Sequence, residues 1–311
     1  MNKSTSLYSL VLFIALGFAS IVTAAPQPSG PQADGSFRKV ILVSDMDTNG
    51  DNQTEDSLKD PMELSIAKDG RVFWAQRNGE VHFWNPKNNK TTLVGEIEVF
   101  TGLEDGLLGI TLDPNFNENN HLYLFYAHPQ TVVEHVNRKP RKKGFNLVSR
   151  FTLNDGKLDL SSEKELIRIK TQRDECCHSG GSLTFDSSGN LYASVGDNTN
   201  PFASDGFAPI DERHGRFAWD AQKSSGNAND LRGKILRVTP QPDGTVKIPE
   251  GNLFDDVDHG ARSEVYVMGN RNPFRISVDP KTGYLYWGEV GPDAGGRRDG
   301  RGPAGYDEIN Q

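Results

Sequence analysis

Apolar and polar residues alternate over short segments at four places in the chain, and each segment leads through a turn into a second apolar segment. A period of two predicts β-strands, and the Asp, Gly and Asn residues between the paired segments predict hairpins. The four predicted hairpins occupy residues 64–74, 109–126, 183–192 and 276–286. Further strand patterns lie between them, at 147–153, 233–238 and 264–268.

Four-stranded units that recur about every 40–50 residues predict a β-propeller, so we expect an all-β fold. The wider gaps near 128–145 and 199–230 are predicted to be long loops, the parts of a fold that most often carry function. About four units can be counted, and four-bladed propellers are uncommon. We therefore expect residues 38–311 to be the C-terminally incomplete front part of a larger propeller, inactive when expressed alone.

The first residues have the pattern of a secretory signal. Lys3 provides the positive start, residues 7–21 are mostly apolar, and small residues precede a cleavage site after Ala24. Residues 25–37 form a Pro/Gly/Ser-rich linker. We therefore expect a secreted or periplasmic protein that is not integral to a membrane, since the apolar run is too short for a confident span.

Charge and motifs exclude several classes of function. The net charge of −8 gives no general attraction to nucleic acid, and the locally basic stretch 295–302 fits a solvated loop better. The sequence has no glycine-rich phosphate loop, no dinucleotide-binding fingerprint and no Gly-x-Ser-x-Gly nucleophile motif, so NAD-dependent, kinase and serine-hydrolase activities have little support.

The segment 175–197 is the most informative. It contains the only two cysteines, Cys176 and Cys177, followed directly by His178 and, after a predicted hairpin, by Asp197. The ends of a hairpin meet, and an aspartate that orients an imidazole is how proteins build a general base. The cysteines either form a vicinal disulfide in an oxidising compartment or remain two buried thiols.

Five motifs occur in the order found in the soluble PQQ-dependent glucose/sorbosone dehydrogenases, which this chain resembles from about residue 38 to residue 311. They are Glu104–Phe116, His178–Leu183, Asn229–Arg237, Gly269–Pro273 and Gly288–Pro292. The subgroup it resembles most consists of large secreted proteins that often also carry a ThuA-like or cytochrome c domain. The resemblance implies six blades around a channel that holds pyrroloquinoline quinone (PQQ) and calcium.

The resemblance also implies roles for individual residues. His178 would be the general base that takes a proton from a sugar hydroxyl as hydride passes to PQQ, and Asp197 would orient it. Arg271 and Asn272 match residues beside the quinone, and the carbonyls of Gly291 and Pro292 match calcium ligands. The partners implied are a sugar substrate and an electron acceptor such as a cytochrome c or a quinone.

Two positions depart from the sugar-oxidising pattern. Glu104 replaces a glutamine, which changes its expected contact with cofactor or substrate. Cys177 replaces an aspartate that would accept a sugar hydroxyl, so glucose itself is a doubtful substrate. The alternative functions are a non-catalytic extracellular carbohydrate- or protein-binding propeller and a calcium-dependent lactonase, since one fold can serve all three.

A second calcium site is a weaker candidate. An acidic segment has the spacing of an EF-hand loop, with the candidate ligands Asp45, Asp47, Asn49, Asp51 and Asp56. No helical pattern flanks it, so a solvated Asp/Asn turn is the competing interpretation.

Overall fold

A computed structural model describes residues 39–45, 58–254 and 260–311. The predicted signal peptide and linker lie outside these residues, as do all the candidate ligands of the EF-hand-like loop except Asp45. The chain divides into a unit ending at Leu42 and a unit of Val43–Gln311. Residues 39–42 of the first unit are exposed and have no regular secondary structure; the second unit contains every strand given below.

The strands form four antiparallel sheets, arranged as the blades of a propeller. The first sheet runs β1 (Pro61–Ile66), β2 (Val72–Gln76), β3 (Glu80–Asn85) and β4 (Lys90–Glu96). The second has the order β5 (Leu107–Leu112), β6 (His121–Ala127) and β8 (Lys139–Asn154), with both β7 (Val132–Val136) and β9 (Lys157–Gln172) paired to β8. A short helix, α1 (Phe116–Asn119), connects β5 to β6.

The third sheet has the order β10 (Gly180–Phe185), β11 (Leu191–Val195) and β12 (Lys234–Pro240), with β13 (Val246–Lys247) and β14 (Val265–Met268) paired to β12. The fourth consists of β15 (Pro273–Val278), β16 (Leu285–Glu289) and β17 (Glu308–Asn310). Two 3₁₀ turns, Phe217–Trp219 and Ala221–Lys223, lie in the long connection between β11 and β12.

The fold class predicted from the sequence is confirmed. The four predicted hairpins are β1–β2, β5–β6, β10–β11 and β15–β16, the two innermost strands of each sheet. Strand β6 shows why the pattern works, because its even-numbered residues pack in the core towards the first sheet and its odd-numbered residues in the core towards the third. A strand buried on both faces in this way must lie between two stacked sheets.

The predicted loop at 128–145 is wrong. Residues 132–136 and the first part of β8 form an antiparallel hairpin that extends the second sheet. Its side chains are largely exposed and several are lysine or arginine, so it lacks the apolar alternation from which strands are predicted. The other predicted long loop, 199–230, contains no strand among its described residues.

One carboxylate connects the inner strands of all four sheets. Glu63 on β1 accepts hydrogen bonds from the backbone N–H of Ile110 on β5 (3.0 Å) and of Leu183 on β10 (3.1 Å), and from the hydroxyl of Ser182. The Ser182 hydroxyl oxygen in turn accepts from the N–H of Ile276 on β15 at 3.2 Å. Burial raises the pKa of Glu63 from 4.5 to about 7, although its hydrogen bonds and Arg275 act in the opposite direction.

The same strands approach so closely that side chains are excluded. A Cβ placed on Gly109 of β5 would lie 1.9 Å from the carbonyl oxygen of Gly181 on β10. Gly181 has a φ of +109°, a conformation that residues with a side chain rarely adopt. Glycine at both positions therefore allows the second and third sheets to meet at the propeller centre.

We predict that Glu63→Gln flattens the pH dependence of stability. A folded-state pKa of about 7 against an ordinary 4.5 means that folded Glu63 keeps a proton that the unfolded chain releases in this range. Its contribution to the free energy of unfolding is therefore greatest at low pH and declines as the pH rises to 7. Urea unfolding gives the free energy of unfolding at about pH 5 and about pH 8. The difference between these two values should be smaller in the variant than in the wild type, by up to about 3 kcal/mol.

The matched control is Glu98→Gln, because Glu98 is exposed. It should keep the wild-type pH dependence. An unchanged difference between the two pH values in Glu63→Gln would show that Glu63 does not titrate with folding.

Candidate active site

His178 and Asp197 form a buried pair at the two ends of the hairpin β10–β11. The two residues are 3% and 1% exposed, and the distance between Nδ1 of His178 and Oδ1 of Asp197 is 2.6 Å. The same Oδ1 accepts from the backbone N–H and the hydroxyl of Thr199, at 2.9 and 2.8 Å. A carboxylate at Nδ1 places the ring proton there, so Nε2 is the nitrogen that can accept a proton.

The backbone of His178 has an uncommon conformation that its surroundings hold in place. Its φ is +61°, in the left-handed region that non-glycine residues seldom occupy. The N–H of His178 donates to Oε2 of Glu104 at 2.6 Å, and its carbonyl accepts from the N–H of Asn198 at 3.3 Å. Such residues persist where neighbouring structure over-determines them, and they cluster at functional sites.

Gly196 lies directly beside this backbone. A Cβ at position 196 would be 2.1 Å from the carbonyl oxygen of His178 and 2.9 Å from the amide oxygen of Asn272. Only glycine allows the strand that carries Asp197 to pass this close to the segment that carries His178.

Asp105 was not predicted from the sequence, although it is adjacent to Glu104. Its Oδ1 accepts from the Ser179 hydroxyl at 2.9 Å and from the Asn146 amide at 3.5 Å, and burial raises the pKa of its carboxyl group. Glu104 and Asp105 therefore hold two consecutive residues, His178 and Ser179. The sequence assigns Glu104 to substrate or cofactor, whereas in the structure its carboxylate contacts the His178 backbone.

Arg271 and Asn272 lie beside Asp197 of the His178–Asp197 pair. The Arg271 carbonyl accepts from the N–H of Asp197 at 2.7 Å. The Arg271 guanidinium donates to the Val290 carbonyl at 3.1 Å and to the Asp293 carboxylate at 2.9 Å. The structure thus brings together all five residues that the sequence assigned to base and cofactor: Glu104, His178, Asp197, Arg271 and Asn272.

Glu289 is a second residue that sequence reasoning missed, although it stands inside the motif at 288–292. Its Oε1 accepts from the backbone N–H groups of Arg271 and Asn272, at 2.6 and 2.8 Å. Burial raises the pKa of its carboxyl group, and the charge of Asp197 acts in the same direction. Glu289 therefore fixes the backbone from which Arg271 and Asn272 project.

The structure joins Cys176 and Cys177 in a disulfide. Cys177 is buried, and its N–H donates to the Thr199 carbonyl at 3.0 Å. Within the described residues, one group of three potential metal-binding side chains occurs, Glu104 with the two cysteines. Because its sulfurs are bonded to each other, we do not regard this group as a metal centre.

The predicted calcium ligands Gly291 and Pro292 follow Val290, beside Arg271. The Gly291 N–H donates to Oδ1 of Asp307 at 3.1 Å. The backbone here packs tightly on residues 305–306, since a Cβ at Gly305 would lie 1.6 Å from the Pro292 carbonyl oxygen. Calcium at this position stays a prediction.

A cavity of about 380 Å³ lies beside these residues. Its lining includes Met62, Arg77, Glu104, Ser179, Asn272 and Val290. Two buried acceptors in this region, Oδ1 of Asn272 and Oε2 of Glu289, have no hydrogen-bond partner. Buried polar atoms without a hydrogen-bond partner are uncommon in native structures. The cavity and its donor and acceptor groups therefore fit a polar cofactor such as PQQ.

Residues 58–311 match the sequence profile of a family described as Glucose / Sorbosone dehydrogenase. The chain belongs to this family. It is 26% identical over 244 residues to the aldose sugar dehydrogenase YliI of Escherichia coli, covering 78% of this chain and 56% of that protein. It is 22% identical over 305 residues to quinoprotein glucose dehydrogenase B of Acinetobacter calcoaceticus, covering 94% and 57%. The chain thus spans little more than half of these relatives.

Solved structures give the same fold. A putative oxidoreductase (glucose dehydrogenase) from Thermus thermophilus superimposes with a TM-score of 0.59 at 27% identity, covering 82% of this chain and 62% of that one. The PQQ-bound aldose sugar dehydrogenase of Streptomyces coelicolor superimposes with a TM-score of 0.56 at 23% identity, covering 81% and 60%. Among the described residues of the dehydrogenase-family chain, no helix has the length and apolarity to cross a membrane.

We predict that Gly196→Ala destabilises the protein and disturbs the His178 backbone. The added methyl group meets the His178 carbonyl rather than a flexible side chain, so the backbone itself must move. Overpacking of this kind typically costs about 1–3 kcal/mol. Urea unfolding, with two-dimensional NMR of the His178 ring, measures both effects.

Gly295→Ala is the control, since a Cβ at Gly295 meets nothing within 4 Å. It should change the free energy of unfolding by less than about 0.5 kcal/mol. Equal stability of the two variants would mean that residue 196 and His178 are not packed as described.

Proposed function

We propose that the protein is a PQQ-dependent sugar dehydrogenase in which His178 is the general base. The observation that carries this proposal is the buried His178–Asp197 pair, in which the contact at Nδ1 leaves Nε2 to accept a proton; the neighbouring residue Ser179 lines the cavity. Family membership supports a dehydrogenase, and one relative is named as a quinoprotein. When bound, PQQ supplies the quinone that accepts hydride from the substrate.

Residues of the chain itself would accept the proton that the substrate hydroxyl loses. A sugar hydroxyl that loses hydride from its carbon must also lose its proton, which Nε2 of His178 would take. The imidazolium formed would be stabilised by Asp197, whose Oδ1 is held by both donors of Thr199. Because these contacts exist before the reaction, no reorganisation is needed when the charge appears.

Other residues would bind and orient the cofactor and the substrate. Arg77 lines the cavity, and the Arg271 guanidinium is fixed by the cavity residue Val290 and by Asp293; both cations would suit a cofactor with carboxylate and quinone oxygens. Asn272 presents its unpaired amide oxygen. Position 177 has a cysteine in place of the aspartate acceptor expected there, which favours a substrate other than glucose.

The remaining parts of the proposal rest on the sequence. The signal pattern at 1–24 supports export to the periplasm or the medium. Calcium, bound by the carbonyls of Gly291 and Pro292, and an electron acceptor such as a cytochrome c or a quinone complete the proposed system.

We predict that His178→Ala lowers dye reduction in the presence of sugar, PQQ and calcium by about 10²–10⁴-fold, because proton abstraction is lost. The binding of PQQ, measured separately by calorimetry, should change little. His135→Ala is the control, since His135 is exposed on β7, and it should leave the rate unaltered.

An unchanged rate in His178→Ala would remove this residue from the mechanism. If PQQ binds but no aldose, polyol or sorbosone-like compound reduces the dye, the protein is a binding propeller or a lactonase.

A further inference from the structure

A second cavity, of about 420 Å³, lies away from the proposed active site. One wall is the hairpin β8–β9, another is the segment 215–223, and a third is the segment 227–232. We call it the basic cavity, because six cationic residues line it and only two acidic ones, Asp174 and Asp230, in a chain of net charge −8.

The alternation of the strands places several of these cations on one face. Lys143 of β8 lies opposite Gln172 of β9, and Phe145 lies opposite Lys170. Residues two apart on a strand point the same way, so Arg141, Lys143 and Lys170 project from the same side of the hairpin.

Partners within the protein do not neutralise all of the cations. Arg141 lies 3.9 Å from Asp174, and Arg232 binds Asp230 through two nitrogens at 2.9 and 2.7 Å. Lys143 and Lys223 pair with Glu134 and Asp220, which stand outside the lining. Lys142 and Lys170 have no ion pair among the described residues, and of these two only Lys170 shares a face of the hairpin with Arg141 and Lys143.

The cations are also held in position rather than free in solvent. Arg141 stacks on the ring of Trp219 at 5.7 Å and donates to the Gly215 carbonyl at 3.4 Å, while its buried Nε has no hydrogen-bond partner. Lys223 lies 5.8 Å from the centre of the Phe217 ring, and Phe217 is 41% exposed at the cavity. Arg141 is therefore restrained beside the cavity, and a guanidinium is suited to binding an oxyanion.

We propose that the basic cavity is a binding site for a small anion that carries carboxylate or phosphate groups. Its volume is within the range of small-molecule sites, about 300–1,000 Å³. Charge-assisted hydrogen bonds from Arg141 and Lys170 would bind the oxyanions, and the exposed edge of Phe217 would contact any apolar part of the ligand.

Calorimetric titration of the full chain tests this, with citrate and inorganic phosphate as separate probes at low ionic strength. We expect one site for at least one probe, with a dissociation constant below about 1 mM. Citrate alone would identify a carboxylate ligand, and phosphate alone a phosphate ester. Binding should weaken as sodium chloride is raised from about 0.05 to 0.5 M, because salt screens partly exposed charges.

Lys170→Glu should weaken binding at least about ten-fold, since it replaces an attractive charge with a repulsive one. The control is Lys90→Glu, which makes the same change of net charge at an exposed residue of the first sheet with no ion pair among the described residues. It should weaken binding by less than about two-fold.

A second measurement uses the unaltered protein. In a 5-fluorotryptophan-labelled sample, the bound probe should shift the resonance of Trp219 and not that of Trp84, which lies in the first sheet. No binding of either probe below about 10 mM, equal weakening by both variants, or a shift at Trp84 alone would each overturn the proposal.

Discussion

The propeller depends on a single carboxylate, that of Glu63, at the point where four strands meet. Inner strands of separate blades are not joined by a continuous ladder, so their edge N–H groups need other acceptors. Glu63 accepts from two neighbouring blades, and through Ser182 it reaches the fourth. The blades are thereby held in one arrangement around the channel, and the loops that form the active site start from these same strands.

The position of the proposed base, His178, is set mainly by contacts of its backbone. His178 acquires its orientation from Asp197, but its position comes from the carboxylate of Glu104, the carbonyl-to-amide contact with Asn198 and the absence of a side chain at Gly196. Lys234 has a comparable role nearby, because it is fully buried and donates to three backbone carbonyls of the segment 224–232. Burial lowers its pKa to about 8.

The sequence predicted those parts of the structure that have a local sequence pattern. Alternation identified the inner hairpins, and motif residues identified the cluster around His178. The hairpin at 132–145 was not predicted, because its strands are exposed and lysine-rich and have no apolar face. Asp105 and Glu289 escaped because their partners, Ser179 and the backbone of residues 271–272, are distant in sequence, and only the folded chain shows these contacts.

Asn198 connects two residues of the basic cavity to the backbone of His178. Its side chain accepts from the N–H of Gln172 at 2.8 Å and from Arg232 at 3.4 Å, both of which line the basic cavity, while its N–H donates to the carbonyl of His178. Its neighbour in sequence is Asp197. Substitutions at positions 172 and 232 would therefore alter the position of Asn198, which holds the His178 backbone, as well as the cavity lining. Positions 172, 198 and 232 are therefore physically coupled, so that a change at one alters the contacts made by the other two.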